Sequence, residues 1–297
     1  MQCADIAIIG GEKDFNLIRL ASYINNNTNY KLNLILIGEN QNLSYHLDLN
    51  DKKLLLNGEE FSSKSVFIRA DIFKFRETKN PEDHTNAQNW FQAFSAWLIA
   101  HPEIKTLNRT LLAQSYFHKA NSLLIAEKHG IPIPKTFISN STNSINEIIG
   151  EQELIYKPIS GGDHAKELKE KFDPIKFKEG IVADPFFFQE KLVYPELRVF
   201  YIDGNFLSFE LNSTELDYRK DRTKLQLKTI ETPEYLKNKL KAVNEEIGLD
   251  FSATDLKYCS IDKCFKFLEV NTTPVFNSFD KVSDYKICSH IVNSLID

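Results

Sequence analysis

Three oxygen-bearing side chains near the end of the sequence have the types and spacing of a magnesium site. Asp255 lies in FSATDLKY, and Glu269 and Asn271 lie in FKFLEVN, with the turn-like segment CSIDKC between the two stretches. Because side chains two residues apart on a strand share a face, Glu269 and Asn271 converge, and Asp255 on the neighbouring strand completes the set. Hard oxygen ligands of this kind suit Mg²⁺ held against nucleotide phosphates. The alternative is a hairpin with scattered polar residues on its surface.

Two lysines upstream have the character of phosphate ligands. Lys157 lies within the apolar strand LIYKPI, where an unpaired ammonium group is costly and a triphosphate would supply its partner. The following turn contains Gly161 and Gly162, and the backbone N–H groups of such a turn are suited to covering phosphates. Lys119 begins a predicted helix. The alternative for Lys157 is a lysine that extends from a strand end into solvent.

Further candidate binding residues lie at the end of the predicted strand FFFQEKL and just beyond it. The end of this strand has the character of a hinge between lobes, where backbone groups would pair with an adenine edge and a carboxylate would accept from ribose. Arg198 in ELRVFYI and Arg219 in LDYR carry guanidinium groups that suit phosphate or carboxylate oxygens, although either one alone is as well explained by solvation. The candidate nucleotide-binding residues of this stretch are Gln189, Glu190, Lys191, Leu192 and Glu196.

Composition and charge exclude several classes of function. The chain has 297 residues, of which 42% are hydrophobic, so two or three lobes with substantial cores are expected. Its net charge of −5 and the lack of a basic stripe disfavour nucleic acid as the main ligand. The longest apolar run, 32–38, is far shorter than the roughly 20 residues of a membrane span. With no signal-peptide pattern at the N-terminus, a cytoplasmic location is expected.

The four cysteines are predicted to be ordinary reduced thiols in the core. They form no CxxC pair and no spacing with histidine that would bind zinc, although Cys259 and Cys264 could face each other across the predicted hairpin. The cysteines are Cys3, Cys259, Cys264 and Cys288.

The first part of the chain is predicted to be an α/β lobe. A strand at 4–11, a helix with Phe15, Ile18 and Leu20 at helical spacing, and a strand at 31–38 form a parallel β-α-β unit. Its Gly-Gly turn lacks the full glycine fingerprint of dinucleotide sites, so no cofactor is predicted there. A hairpin at 44–58 is predicted to continue the same sheet. The remaining elements of this lobe are a strand at 65–71 and a helix at 89–102.

The rest of the chain alternates strands and helices, with a strong hairpin turn at Asp203-Gly204 and a helix stop at Gly248. The charged segment KELKEKFDPIKFKE is predicted to be a flap or a solvated face. We expect three domains, which span residues 1–112, 113–190 and 191–297.

The order of these motifs resembles that of the ATP-grasp superfamily over about residues 113–297. HKANSLLIAEKHGIPIPKTFI is similar to the family's lysine helix and its Gly-Ile-x-x-Pro entry, LIYKPISGG to the second lysine and its loop, and FQEKL to the adenine hinge. DFSATDLKY with FKFLEVN is similar to the metal hairpin. ELRVFYIDGNFLSFELNSTELDYR most resembles the branch of ribosomal-protein glutamate ligases and of maturases that cyclise ribosomally made peptides. The chain departs from those maturases after Asn271, where it reads TTPVFN instead of Asn-Pro-Asn-Gly.

The resemblance implies an ATP-grasp fold behind an N-terminal α/β domain, with ATP and magnesium as cofactors. It implies an ADP-forming ligase that acts through an acyl phosphate on a peptide or protein side chain. The alternatives are a ligase for free amino acids or a small metabolite, and a non-catalytic nucleotide-binding module. Arg198 and Arg219 would hold the γ-phosphate and the developing acyl phosphate. Arg69 and Arg76 are candidates to hold acidic side chains of a peptide, or else solvated surface arginines, and a homo-oligomer is possible.

Overall fold

The computed structural model describes most of the chain. The described residues are 3–38, 43–70, 80–113, 119–141, 153–159, 165–168, 181–213 and 222–297. Within these ranges, none of the helices combines the length and the apolar character that crossing a bilayer requires.

Strands and helices are numbered in chain order. The strands are β1 (Ala4–Gly11), β2 (Leu32–Ile37), β3 (Tyr45–Asp48), β4 (Lys53–Leu56), β5 (Glu59–Glu60), β6 (Ser63–Ile68), β7 (Lys105–Thr106), β8 (Thr136–Ser141), β9 (Leu154–Pro158), β10 (Lys166–Leu168), β11 (Ile181–Glu190), β12 (Val193–Ile202), β13 (Asn205–Asn212), β14 (Gln226–Ile230), β15 (Phe251–Cys259) and β16 (Cys264–Asn271). The helices are α1 (Phe15–Asn27), α2 (Pro81–Ala100), α3 (Lys119–Lys128), α4 (Glu234–Ile247), α5 (Asn277–Val282) and α6 (Lys286–Ile296). Two short 3₁₀ helices span Arg109–Ala113 and Arg222–Lys224.

The first sheet is parallel, with strand order β2-β1-β6-β7, which confirms the predicted β-α-β unit. The helix that joins β1 to β2 buries Leu20, as its spacing predicts, but not the other two predicted positions. Phe15 and Ile18 are exposed, whereas Asn16 is fully buried. Asn16 is buried because its side chain caps another helix. Its side-chain oxygen accepts hydrogen bonds from the N–H groups of Phe276 and Asn277, at 2.7 and 2.8 Å, at the start of α5.

The predicted hairpin at 44–58 is present, but the prediction that it continues the first sheet is wrong. Strands β3, β4 and β5 form a separate three-stranded antiparallel sheet, and β6 takes the place beside β1. Leu54 and Leu56 of this small sheet are buried in one cluster with Phe94 and Trp97 of α2. Burying that apolar face against α2 accounts for the separate sheet.

Helix α2 begins eight residues before the predicted position. Asn80 caps it, since its side chain accepts from the N–H of Glu82 at 3.1 Å, and Pro81 occupies the first helical position. The first two turns of α2 therefore precede the apolar stretch from which the helix was predicted.

A second, antiparallel sheet has the order β10-β9-β11-β8. It places Lys157 of β9 directly opposite Phe187 of β11. Part of the predicted flap forms β10, which pairs with β9, and residues 169–179 of that segment lie outside the described residues.

The third sheet, β14-β13-β12-β15-β16, is antiparallel and carries most of the candidate site. The turn at Asp203-Gly204 has positive φ at both residues (45° and 86°), as a two-residue hairpin of type I′ requires, and confirms that prediction. Gly248 ends α4 in the left-handed conformation (φ 82°), also as predicted. Helices α3 and α4 pack on this sheet through a cluster that includes Leu123, Leu240 and Phe267.

Candidate functional site

The predicted magnesium ligands lie together at one end of the β15–β16 hairpin. Asp255 is directly opposite Glu269, and Asn271 follows two residues later on the same strand. The pairing shifts directly after Asp255, since Leu256 opposes Phe267 and Leu268 is an extra residue on β16. The Asn271 side-chain N–H donates to Asp255 Oδ2 at 3.0 Å. Two carboxylates and an amide are therefore close enough to act on one ion.

Arg198 is held against this group by the neighbouring strand. It lies directly opposite Asp255 on β12, and its Nη1 donates to both oxygens of Asp255 at 2.9 and 3.0 Å. Both side chains are buried, and the guanidinium lies 5.2 Å from the centre of the Phe279 ring. A buried cation with one side on a carboxylate and another on an aromatic ring is fixed in position, as a group that orients a phosphate must be.

Lys119 reaches the same cluster from the first residue of α3. Its Nζ lies 3.2 Å from Glu269 Oε2, and the two side chains are 31% and 20% exposed. This ion pair is thus open to solvent, whereas the one between Arg198 and Asp255 is buried. Lys157 lies on the second sheet, with its Nζ 5.9 Å from the centre of the Phe187 ring.

The predicted adenine hinge joins β11 to β12. The N–H of Glu190 bonds to the carbonyl of Lys135, and the N–H of Lys191 to that of Glu153, so both amides serve the second sheet. The N–H of Leu192 donates to no backbone or side-chain acceptor among the described residues. Any backbone pairing with an adenine edge therefore falls to this N–H and to the carbonyls of the hinge.

The hinge side chains are engaged within the protein. Gln189 is buried and donates to Thr136 Oγ1 at 3.0 Å, while its own Oε1 is buried and accepts no hydrogen bond from the described residues. Lys191 Nζ lies 2.9 Å from Glu153 Oε2 and 3.0 Å from Glu167 Oε1, and hydrogen bonds to these carboxylates raise the pKa of Lys191.

Glu196, the predicted ribose acceptor, is buried and lies directly opposite Lys257 on β15, a residue that the sequence analysis did not identify. Its Oε2 lies 3.7 Å from Nζ of Lys257, and that ammonium is 3.9 Å from the centre of the Tyr194 ring. Lys257 follows Asp255 by two residues on a strand and so shares its face. The same spacing rule that paired Glu269 with Asn271 could have identified it.

A second acidic cluster lies at the turn end of the same hairpin. Carboxylate oxygens of Glu190 and Asp262 and the sulfur of Cys259 lie within 4.8 Å of one another, a spacing that a metal ion could use. However, Lys266 Nζ is 2.6 Å from both carboxylates. Burial lowers the pKa of Lys266, but its hydrogen bonds to Asp262 and Glu190 outweigh burial and raise it. The cluster thus already contains its own counterion.

The cysteines are free thiols, in agreement with the prediction, and Cys259 and Cys264 are cross-strand partners beside this cluster. Cys3, however, is exposed.

Arg69 is buried and is not a solvated surface arginine. Its Nε donates to Asp14 Oδ2 at 2.8 Å, and its Nη1 donates to the carbonyl of Pro274, also at 2.8 Å. Pro274 follows Asn271 by three residues, so Arg69 connects the first sheet to the segment just beyond the candidate metal ligands. Four other candidates lie outside the described residues: Gly161, Gly162, Arg76 and Arg219.

Comparisons with known proteins give a fold. No protein-family model matches the sequence, and no curated protein matches it. Among solved structures, the chain is similar to the ATP-grasp ligase PsnB complexed with a minimal precursor, Mg and ADP (TM-score 0.78, 19% identity, 98% of this chain and 97% of that one). It is also similar to the macrocyclase MdnC of Microcystis aeruginosa bound with the precursor peptide MdnA (0.71, 20%, 98% and 99%). A third is the VanG D-Ala:D-Ser ligase of Enterococcus faecalis (0.65, 18%, 99% and 99%). The chain therefore has the ATP-grasp fold over almost its whole length.

Proposed function

We propose that this protein is an ATP-dependent, ADP-forming ligase that activates a carboxylate and joins it to a hydroxyl or amine of a peptide or protein. The observation that carries the proposal is the cluster of oxygen ligands and cations on one face of the third sheet. Asp255, Glu269 and Asn271 meet there with Arg198 and Lys119, which come from different elements. The fold, shared with ATP-grasp ligases, supports the same reading.

The residues fit magnesium and ATP. Asp255, Glu269 and Asn271 offer the hard oxygen atoms that Mg²⁺ prefers, and the Glu269 carboxylate is partly open to solvent. Bound magnesium would neutralise phosphate charge. The ATP phosphates are assigned to Lys119, to Lys157 and to the turn containing Gly161 and Gly162.

The rest of the nucleotide is assigned to the hinge and the strand that follows it. Adenine lies against the hinge of Gln189, Glu190, Lys191 and Leu192, and the ribose hydroxyls meet Glu196. As a consumer of ATP the enzyme works in the cytoplasm. PsnB, whose structure contains Mg and ADP, supports the choice of cofactors.

The chemistry requires positioning rather than a protein nucleophile. A substrate carboxylate attacks the γ-phosphate of ATP, which gives an acyl phosphate and ADP, and a hydroxyl or amine then displaces phosphate. Such phosphoryl transfer depends on alignment and charge neutralisation. Arg198, fixed between Asp255 and Phe279, is suited to orienting the transferred phosphoryl group, and Arg219 is proposed to share this role.

A peptide or protein substrate is favoured over a free amino acid. PsnB and MdnC were solved with precursor peptides, and the chain superposes on them with TM-scores of 0.78 and 0.71, against 0.65 for the D-Ala:D-Ser ligase. The higher TM-scores with the two peptide-bound enzymes agree with the sequence resemblance of the region around Arg198 to the peptide-modifying branch.

The test is ADP release with two kinds of acceptor. The protein is incubated with Mg-ATP and either a pool of capped peptides rich in Asp, Glu, Ser, Thr and Lys, or free glutamate with free threonine and lysine. We expect ADP release that depends on peptide, and peptides lighter by the mass of one water molecule. Ligation of the free amino acids alone would establish the small-molecule alternative. Absence of Mg-ATP binding in calorimetry would refute the proposal.

A further inference from the structure

A crevice of about 550 Å³ lies at the first sheet, whereas the candidate metal ligands belong to the third. It is formed by the carboxyl ends of β1, β2 and β6 and by one side of α2 between Asp83 and Phe94. In the order β2-β1-β6-β7, the next strand in the chain, β2, lies on one side of β1, and β6 and β7 lie on the other side. The crevice thus lies at the point where the strand order reverses, the place where open α/β sheets bind ligands.

One wall of the crevice is aromatic and comes from one helix, whereas the rest of the lining is largely polar and includes Asp83 and Asn86. Trp90, Phe91 and Phe94 of α2 face the strand ends, and Ala87 lies one turn before Phe91 on the same side of the helix. An apolar side chain, preferably aromatic, is the group that the aromatic wall buries favourably.

Arg69 lines the crevice and is paired there with Asp14, and Asp83 also lies in the lining. Arg69 is 3% exposed, and its Nε and Nη1 are occupied by Asp14 and by the carbonyl of Pro274. Its Nη2 is buried and makes no hydrogen bond to any described residue, although buried guanidinium groups normally satisfy their donors. A carboxylate would supply the missing acceptor and pair with it strongly.

The crevice is also close to the candidate metal site. The carbonyl that Arg69 binds belongs to Pro274, three residues after Asn271, and three residues of extended chain span at most about 10 Å. A peptide held in the crevice would reach the site with its next few residues.

We propose that the crevice binds a short segment of the peptide substrate that has an apolar side chain next to an acidic one. The apolar side chain lies against Trp90 and Phe91, and the carboxylate faces Arg69. This proposal rests on the proposed function for its choice of a peptide. The crevice would then hold the peptide so that neighbouring residues present their reacting groups to the ATP site.

The test uses three capped dipeptides as probes: acetyl-Phe-Glu-amide, acetyl-Ala-Glu-amide and acetyl-Phe-Gln-amide. Binding is followed by tryptophan fluorescence, because Trp90 lines the crevice and the other tryptophan, Trp97, is only 2% exposed. We expect the Phe-Glu probe to bind in the millimolar range, about tenfold more tightly than the Ala-Glu probe and several-fold more tightly than the Phe-Gln probe. Free phenylalanine and free glutamate should bind more weakly still.

A matched pair of variants locates the binding. Ala87→Trp places an indole in the crevice and should abolish the fluorescence response, while Gln88→Trp adds the same group at an exposed position on the next residue and should leave it unchanged. Phe91→Ala, which removes part of the wall without filling it, should weaken the Phe-Glu probe about tenfold and provides the test if the larger substitution prevents folding. Equal binding to wild type and to these variants, or no binding of the Phe-Glu probe, would overturn the proposal.

The two proposals can fail separately. Ala87→Trp should keep Mg-ATP binding, because the crevice is distinct from the nucleotide residues, and Lys157→Ala should keep the dipeptide response. ATP turnover without dipeptide binding would contradict only the crevice. Dipeptide binding without Mg-ATP binding would contradict the ligase and leave a peptide-binding protein.

Discussion

The two ends of the β15–β16 hairpin both bring acidic side chains together, but they differ in what neutralises them. At the turn end, Lys266 comes from the hairpin itself, is 9% exposed and lies 2.6 Å from two carboxylates. At the other end, the cations come from other elements, and the pair of Lys119 with Glu269 is longer and open to solvent. A cluster that contains its own buried counterion is a structural element, whereas one whose cation can turn toward a ligand is suited to binding phosphate and metal.

The largest expected effect separates the two ends by activity. Glu269→Gln removes one charge from the open end and should lower ADP formation about a hundredfold or more. Asp262→Asn removes one charge from the turn end and should leave ADP formation unchanged. Steady-state assays of both variants check this, with circular dichroism as a control for folding. Wild-type turnover in the Glu269 variant would refute the metal assignment.

Stability should show the opposite pattern. Lys266→Met keeps the aliphatic stem but leaves the mostly buried Glu190 without its counterion, so the free energy of unfolding should fall by about 3 kcal/mol. Lys119→Met removes a partly exposed pair and should cost at most about 1 kcal/mol. Urea unfolding measures both values. Similar losses in the two variants would mean that the ends do not differ as argued.

The second candidate phosphate lysine provides a test at the nucleotide. Lys157→Ala should weaken ATP binding by about 1.5–3 kcal/mol, roughly ten- to a hundredfold, because it removes a charge-assisted contact. Lys237→Ala, which removes a helix-surface lysine paired with Glu234, should not change the affinity. Calorimetry with ATP and Mg²⁺ gives both constants, and unchanged affinity in the Lys157 variant would contradict its assignment.

The smallest expected effect concerns pH. The residues named above at the two ends of the hairpin include no histidine. His290 lies in α6, where burial lowers its pKa below the ordinary 6.5 and the charge of Lys286 lowers it further. The unfolded chain therefore binds this proton more readily, and stability should decline as pH falls below about 6.5. His290→Asn should flatten that part of the urea-stability profile and leave the pH profile of ADP formation unchanged. An unaltered stability profile would rule out His290 as its source.

Features set by near neighbours in the sequence could be predicted. The Asp203-Gly204 turn, the Gly248 helix end and the shared face of Glu269 and Asn271 all depend on residues a few positions apart. The ATP-grasp order of motifs also gave the fold, because the motifs recur in a fixed sequence along the chain.

Features set by distant pairing could not be predicted. The register that puts Arg198 against Asp255 depends on how β12 meets β15, and Lys266 meets Glu190 across 76 residues. The burial of Asn16 reflects its cap on α5, 260 residues away. Composition also cannot reveal which sheet a short hairpin joins. The division at residues 112 and 190, and the roles of the individual site residues, stay predictions.

Helix α6 has a consequence for how the chain is made. Ile287, Ile291 and Leu295 of this last helix share one core with Leu17 and Leu20 of α1. During synthesis the first sheet emerges well before the α6 side chains that cover it. The N-terminal lobe must therefore wait, with apolar surface uncovered, until α6 has been synthesised. A fragment that contains only this lobe would expose the same surface permanently, so expression of the isolated lobe should give an aggregating product.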